Sequence, residues 1–175
     1  MTVLPRLPQI PLAFPYAPAN RRFEGRQMFS DTIAEVIECG AQYGWRQTTF
    51  CDADFLDWPL GGRVLVSALD AWARSGCRFT LLAQRYDAAI RHHDRFVQWR
   101  RRWSHQIDCW QHPGVGIHAL PSACLTPDRL LHRIDPERGV CVVTTDATRR
   151  LAMQENLAQL KRESASGFAA TTLGL

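Results

Sequence analysis

Lysine is almost absent from this chain. Twenty of its 21 basic side chains are arginines, and Lys161 stands alone. That leaves no lysine for a Walker-type phosphate loop or for a Schiff base in a core motif. No apolar run approaches the roughly 18 residues a transmembrane helix needs. The N-terminus also lacks the continuous apolar stretch of a secretory signal. The cysteines at 39, 51, 77, 109, 124 and 141 form no CxxC pair and show no zinc-ligand spacing. His92, His93, His105, His112, His118 and His132 form neither HxH nor HExxH. There is no GxSxG nucleophile elbow. Gly114 and Gly116 make a GxG, but Pro121 follows and no helix opens behind it, so the phosphate-cradling geometry is missing. Neither a metal nor an organic cofactor is expected.

What is present is an ordinary globular composition: 175 residues, 46% hydrophobic and 22% charged. That length predicts one domain, with roughly 70% of the unfolded surface buried and no need of disulfide staples. The net charge of +4 is local, because the segment 85–102 holds six arginines against Asp87 and Asp94. Four cysteines (Cys51, Cys77, Cys109, Cys141) lie in apolar, strand-like runs and read as small core hydrophobes. Reduced thiols and no signal sequence predict a cytoplasmic location and no membrane partner.

Five of the ten prolines fall within residues 1–20. Such a stretch cannot be helical, so 1–21 reads as a Pro-rich arm, 22–163 as the domain and 164–175 as a fraying tail. Phe29, Ile33, Val36 and Ile37 stand at helical spacing, and Gly40 or Gly44 can end that helix. Strands are predicted over 46–51, 77–83, 106–110 and 140–144, with a hairpin of 122–126 and 129–134 turning at Pro127-Asp128. Helices are predicted around Val64–Trp72, over 88–103 and over 147–163. Strands alternating with helices imply an α/β fold: a single-domain mixed sheet flanked by helices, its parallel strands joined by right-handed crossovers.

In such sheets ligands bind beyond the carboxyl ends of the parallel strands. Asp52, Asp54 and Asp57 follow the first of them, Gln84 and Arg85 the second, and His112 with the loop leading to His118 the third. Arg85, His112, His118, Asp52 and Asp54 are therefore the candidate ligand-binding residues. The Asp52-x-Asp54 spacing is that of a haloacid-dehalogenase nucleophile pair. That chemistry needs a Ser or Thr after the next strand and a downstream lysine; Gln84 and Arg85 stand there instead. Arg100, Arg101 and Arg102 end a helix, where cations suit the macrodipole. They are also the candidate patch for a nucleic-acid backbone, with Trp99 and Trp103 either stacking on bases or filling the core.

The run FCDADFLDWPLGGRVLVSALDAWARSGCRFTLLAQRYD, followed by HHDRFVQWRRRWSHQIDCW, resembles an uncharacterised bacterial family with a phospholipase-D-like fold. Members of that family also stand as a C-terminal domain behind GNAT-type acetyltransferases. The resemblance implies one half of a phospholipase-D-like unit, and half-units of this kind often pair as homodimers. Active members of the superfamily carry HxKxxxxD, whose His attacks phosphorus and whose Lys holds phosphate oxygens. The matching stretch here starts at His118, but Leu120 stands in place of the lysine and Leu125 in place of the aspartate. A leucine cannot stabilise phosphate charge in a transition state.

The sequence points first to a non-catalytic module that binds a protein partner or regulates an enzyme. The alternatives are a phosphate-ligand or nucleic-acid binder and a residual phosphodiesterase using His118.

Overall fold

Thirteen elements follow one another along residues 20–114 and 120–170, the part of the chain the computed structural model describes. They are β1 (Arg21–Glu24), α1 (Arg26–Tyr43), β2 (Gln47–Asp52), α2 (Arg63–Arg74), β3 (Arg78–Ala83), α3 (Asp87–His92), α4 (Asp94–Arg102), β4 (Ile107–Gln111), β5 (Ser122–Leu125), β6 (Leu130–Asp135), β7 (Val140–Thr144), α5 (Ala147–Arg162) and β8 (Ala165–Ser166). The strands form one mixed sheet in the order β1-β7-β6-β5-β2-β3-β4-β8. β2, β3 and β4 run parallel. β5, β6, β7 and β1 extend the β2 side as an antiparallel meander.

Strand alternation sorts the core into two layers. Phe50, Phe79, Leu81, Cys109 and Cys124 face the side covered by α1 to α4. Cys51, Leu82, Ala123 and Leu130 face the other side, where Met153, Leu157 and Leu160 of α5 cover them. The first layer holds most of the aromatic mass, with Trp58, Trp72 and Trp99 nearly fully buried. α1 ends where Gly44 takes a left-handed conformation (φ 61°) and caps back to the Gly40 carbonyl. Within α1, Gly40 lies so close to α2 that a Cβ there would overlap the Trp72 indole ring. The same indole N–H donates to the Trp45 carbonyl at 2.8 Å, fixing its orientation.

One sequence expectation is corrected here. The helix predicted over 88–103 is two helices, broken at His93 (φ −127°, ψ 57°). The break turns the buried imidazole so that Nε2 donates to the Phe55 carbonyl at 3.1 Å. The predicted Pro-rich arm lies outside the described residues except at its end, where Arg21 already belongs to β1. That strand pairs with β7 from Arg21↔Val143 to Glu24↔Val140. Of the predicted tail, 171–175 lie outside the described residues; in 164–170, β8 adds to β4, Gly167 N–H donates to the Cys109 carbonyl at 3.0 Å, and Phe168 stacks on Tyr86 with ring centroids 4.9 Å apart. A small-residue tail holds its place because one aromatic ring anchors it.

Candidate functional site

The parallel strands β2, β3 and β4 end at Asp52, Ala83 and Gln111, and the predicted site residues gather beyond them. Asp52 does not face that crevice as a free carboxylate. Its Oδ1 accepts from the backbone N–H groups of Asp54 (3.1 Å) and Phe55 (2.9 Å), and its Oδ2 accepts from Trp58 Nε1 at 3.0 Å. These bonds hold a tight loop in which Phe55 has φ 58°, a left-handed backbone unusual for a bulky residue. Asp52 thus holds its loop through these three bonds.

Asp54 accepts from Leu56 N–H at 3.0 Å, and its other oxygen lies 3.6 Å from Arg85 Nη2. Arg85 is exposed, but its charge is already matched. His112 is buried; its Nδ1 accepts from Gly114 N–H at 3.2 Å, while Nε2 sits 3.6 Å from Glu163 Oε2. Hydrogen bonding, chiefly from the Gln159 amide and then from His112, holds the Glu163 carboxyl below its usual value. Glu163 closes α5, so the last helix reaches back to the carboxyl end of β4, a contact with no signal in the local sequence. His118 lies outside the described residues. The structure therefore brings Asp52, Asp54, Arg85 and His112 to one end of the sheet, and each is engaged by a neighbour.

The positions that the family resemblance sets against the catalytic lysine and aspartate are on the α5 side of the sheet. Leu120 is 6% exposed and packs in the layer formed by Leu82, Leu130, Met153 and Leu157; Leu125 packs against that layer. The buried thiols offer no alternative nucleophile. Burial pushes Cys77 and Cys124 up to about 12 and Cys109 and Cys141 up to about 11, and it raises Cys51 further.

The arginine run at the end of α4 is not one surface. Neighbouring helical residues are separated by about 100°, and Arg100 turns inward. It is 7% exposed, its Nε donates to Cys109 Sγ at 3.0 Å, and its guanidinium lies 5.9 Å from the Phe168 ring centroid. Of the three arginines predicted as a nucleic-acid patch, Arg100 is thus the buried one. Arg101 and Arg102 are exposed. Trp99 is core, and the Trp103 indole donates to Asp70 at 2.7 Å. Asp70 also accepts from Arg74 at 2.5 Å and Arg102 at 3.2 Å. Burial opposes ionisation of this carboxyl, but these three donors outweigh it and hold the group below its ordinary value.

A groove of about 390 Å³ runs between α2 and α4, with Arg63, Arg74, Arg95 and Arg102 along its sides. Only Arg102 belongs to the run the sequence singles out. Among the described residues, no group of three or more His, Cys, Asp and Glu is arranged to hold a metal ion, and no helix is long and apolar enough to cross a membrane.

No protein-family model matches the sequence, and no curated protein matches it. Solved structures do match in fold. TrmBL2, an archaeal chromatin protein described as having a novel mode of DNA binding, superposes with a TM-score of 0.66 at 10% identity. That match covers 90% of this chain and 58% of TrmBL2, so this chain spans less than two thirds of that protein. NucT from Helicobacter pylori matches with a TM-score of 0.58 at 8% identity, over 85% of this chain and 98% of NucT. Nuc from Salmonella typhimurium, a phospholipase D family member, matches at 0.57 and 7%, over 86% of this chain and 99% of Nuc. At such identities the likeness is one of fold: a single eight-stranded mixed sheet flanked by helices, phospholipase-D-like in architecture.

Proposed function

We propose that this domain works by binding and not by phosphodiester chemistry, as a non-catalytic phospholipase-D-like module with a protein-interaction or regulatory role. One observation carries the reading. Leu120, aligned with the phosphate-holding lysine of active members, is a core residue packed beneath α5. A histidine at position 118 would attack phosphorus with no cation there to stabilise the charge that develops. The pairing of Arg85 with Asp54 supports the same reading, because it neutralises the arginine nearest the crevice. The partner is a protein or a second copy of the chain. The test is turnover of bis(p-nitrophenyl) phosphate by the wild type and by His118→Ala. Both should match the uncatalysed rate; wild-type turnover lost in the variant would restore the phosphodiesterase alternative.

A second reading, nucleic-acid binding, is favoured by two observations. A DNA-binding chromatin protein shares the fold over 90% of this chain. Four arginines also flank the groove between α2 and α4. Retention of labelled duplex DNA that weakens steeply with salt supports it, because counterion release sets that dependence.

A further inference from the structure

We infer that the α2–α4 groove is a binding site for the sugar–phosphate backbone of a nucleic acid. The inference rests on the second reading above and locates it on the helical face, away from the carboxyl-end crevice.

The groove is made of two facing helical stripes. Arg63, Ser67, Asp70 and Arg74 follow one another along α2, and Arg95, Gln98 and Arg102 along α4, at the three- and four-residue steps that define one helix face. Where two helices face each other, such stripes are ordinarily apolar. Here Val66 and Trp99 are the apolar members among the lining residues. Asp70 is the one carboxylate lining the groove, and it takes Arg74 and Arg102 as its partners. One negative charge among four guanidinium groups leaves a strongly cationic trough.

Two of the four arginines lie where stability does not call for them. Arg63 opens α2, at the helix end where the macrodipole disfavours a cation, and it makes no hydrogen bond or ion pair with any described residue. Among the described residues, Arg95 reaches only the Gly61 carbonyl, at 3.1 Å. Trp99, which also lines the groove, is 2% exposed, and its indole N–H has no acceptor among the described residues. A buried donor without a partner is uncommon.

The length also fits. Arg63 and Arg74 are eleven residues apart on one helix, about 16 Å along its axis. With phosphates of one strand about 3.4 Å apart along the duplex axis, that is long enough for about three contacts.

A second basic surface is already satisfied. A trough at the amino ends of the parallel strands holds Arg78, Arg150 and Lys161. There Arg78 pairs with Asp108, Arg150 donates to the carbonyls of Pro127 and Thr145, and Lys161 sits over the Trp110 ring.

The test is fluorescence anisotropy with a labelled duplex of about 20 base pairs, titrated between about 50 and 200 mM salt. The wild type should bind with a log K against log salt slope of about −3, from about 0.9 per phosphate contact. Arg63→Glu/Arg95→Glu should lose at least about tenfold in affinity and about 2 from the magnitude of the slope, with an unchanged circular dichroism spectrum. Arg78→Glu/Lys161→Glu, on the opposite face, should bind as the wild type does. If the wild type does not bind at the lowest salt, the groove and the nucleic-acid reading both fail. If it binds, but Arg63→Glu/Arg95→Glu binds equally well while Arg78→Glu/Lys161→Glu does not, the groove assignment alone is overturned. Displacement of the duplex by polyglutamate at equal charge concentration would also overturn it, in favour of an acidic polypeptide.

Discussion

Trp58 Nε1 donates to Asp52 Oδ2 at 3.0 Å, and this bond turns the most conspicuous carboxylate of the sequence into part of a loop. The other Asp52 oxygen holds the Asp54 and Phe55 amides. Three of the carboxylate's roughly four acceptor sites are thereby taken up by the loop itself.

Replacing Asp52 by Asn puts an amide N–H₂ or a single carbonyl where two acceptor oxygens stood, so at least one buried donor is left unpaired. An unsatisfied buried donor costs about 1–3 kcal/mol. Asp52→Asn should therefore lower the unfolding free energy by about 2 kcal/mol, seen as a lower urea midpoint at constant m-value. A variant as stable as the wild type would contradict the loop-holding role.

Gly40→Ala tests the contact between α1 and α2. The added methyl overlaps the Trp72 ring, which the Trp45 carbonyl holds in place. Overpacking of this kind costs about 1–3 kcal/mol, although alanine favours helix by up to about 1 kcal/mol over glycine. The net expectation is a destabilisation of about 1 kcal/mol or more with altered tryptophan fluorescence. A gain in thermal midpoint would show that the ring moves aside freely.

Phe168→Ala tests whether one ring anchors the tail. Phe168 stacks on Tyr86, lies 6.3 Å from the Phe96 ring and covers the Arg100 guanidinium. Losing a half-buried aromatic should cost about 2 kcal/mol, less than the 3–5 kcal/mol of a fully buried one. The Gly167 amide should then exchange with solvent far faster, as the β8–β4 pairing opens. Unchanged exchange at Gly167 would mean the backbone pairing holds the tail unaided.

Asp70 supplies a pH dependence. Its carboxyl ionises more readily in the folded chain than its ordinary value of about 3.9 allows. A depressed acid contributes stability that is present above the unfolded value and is lost as pH falls through the folded one. The stability gap between the wild type and Asp70→Asn should therefore be constant near neutral pH and close below about pH 4. Unfolding midpoints across pH 2.5–7 check the sign; a gap that widens in acid would contradict it.

The architecture was largely legible because its elements are strongly patterned. The strand predicted over 140–144 is β7, and Gly44 ends α1 as its position suggests. β1 was not legible: Arg21–Glu24 is charged and short, and its partner strand lies more than a hundred residues further on. The His93 break escaped because the apolar spacing of Ala89, Phe96 and Trp99 runs straight through it, while the hydrogen-bond partner of the His93 ring, the Phe55 carbonyl, comes from another loop.

The carboxyl-end grouping of Asp54, Arg85 and His112 followed from topology alone, but the Arg85–Asp54 pair and the His112–Glu163 contact needed distances. The arginine groove was hidden for a different reason. Adjacent letters drew attention to Arg100, Arg101 and Arg102, whereas a helix face joins residues three and four apart. Arg63 and Arg95 come together only because α2 packs beside α4.

The central claim is that this phospholipase-D-like fold carries no phosphodiester chemistry. The most direct measurement is an intact-mass spectrum of the protein, quenched under alkaline conditions that preserve phosphohistidine, after incubation with a short phosphodiester oligonucleotide. An unmodified mass, an intact oligonucleotide and the same result for His118→Ala are predicted. A nucleotidyl adduct on His118, absent from the variant and accompanied by cleaved product, would contradict the account.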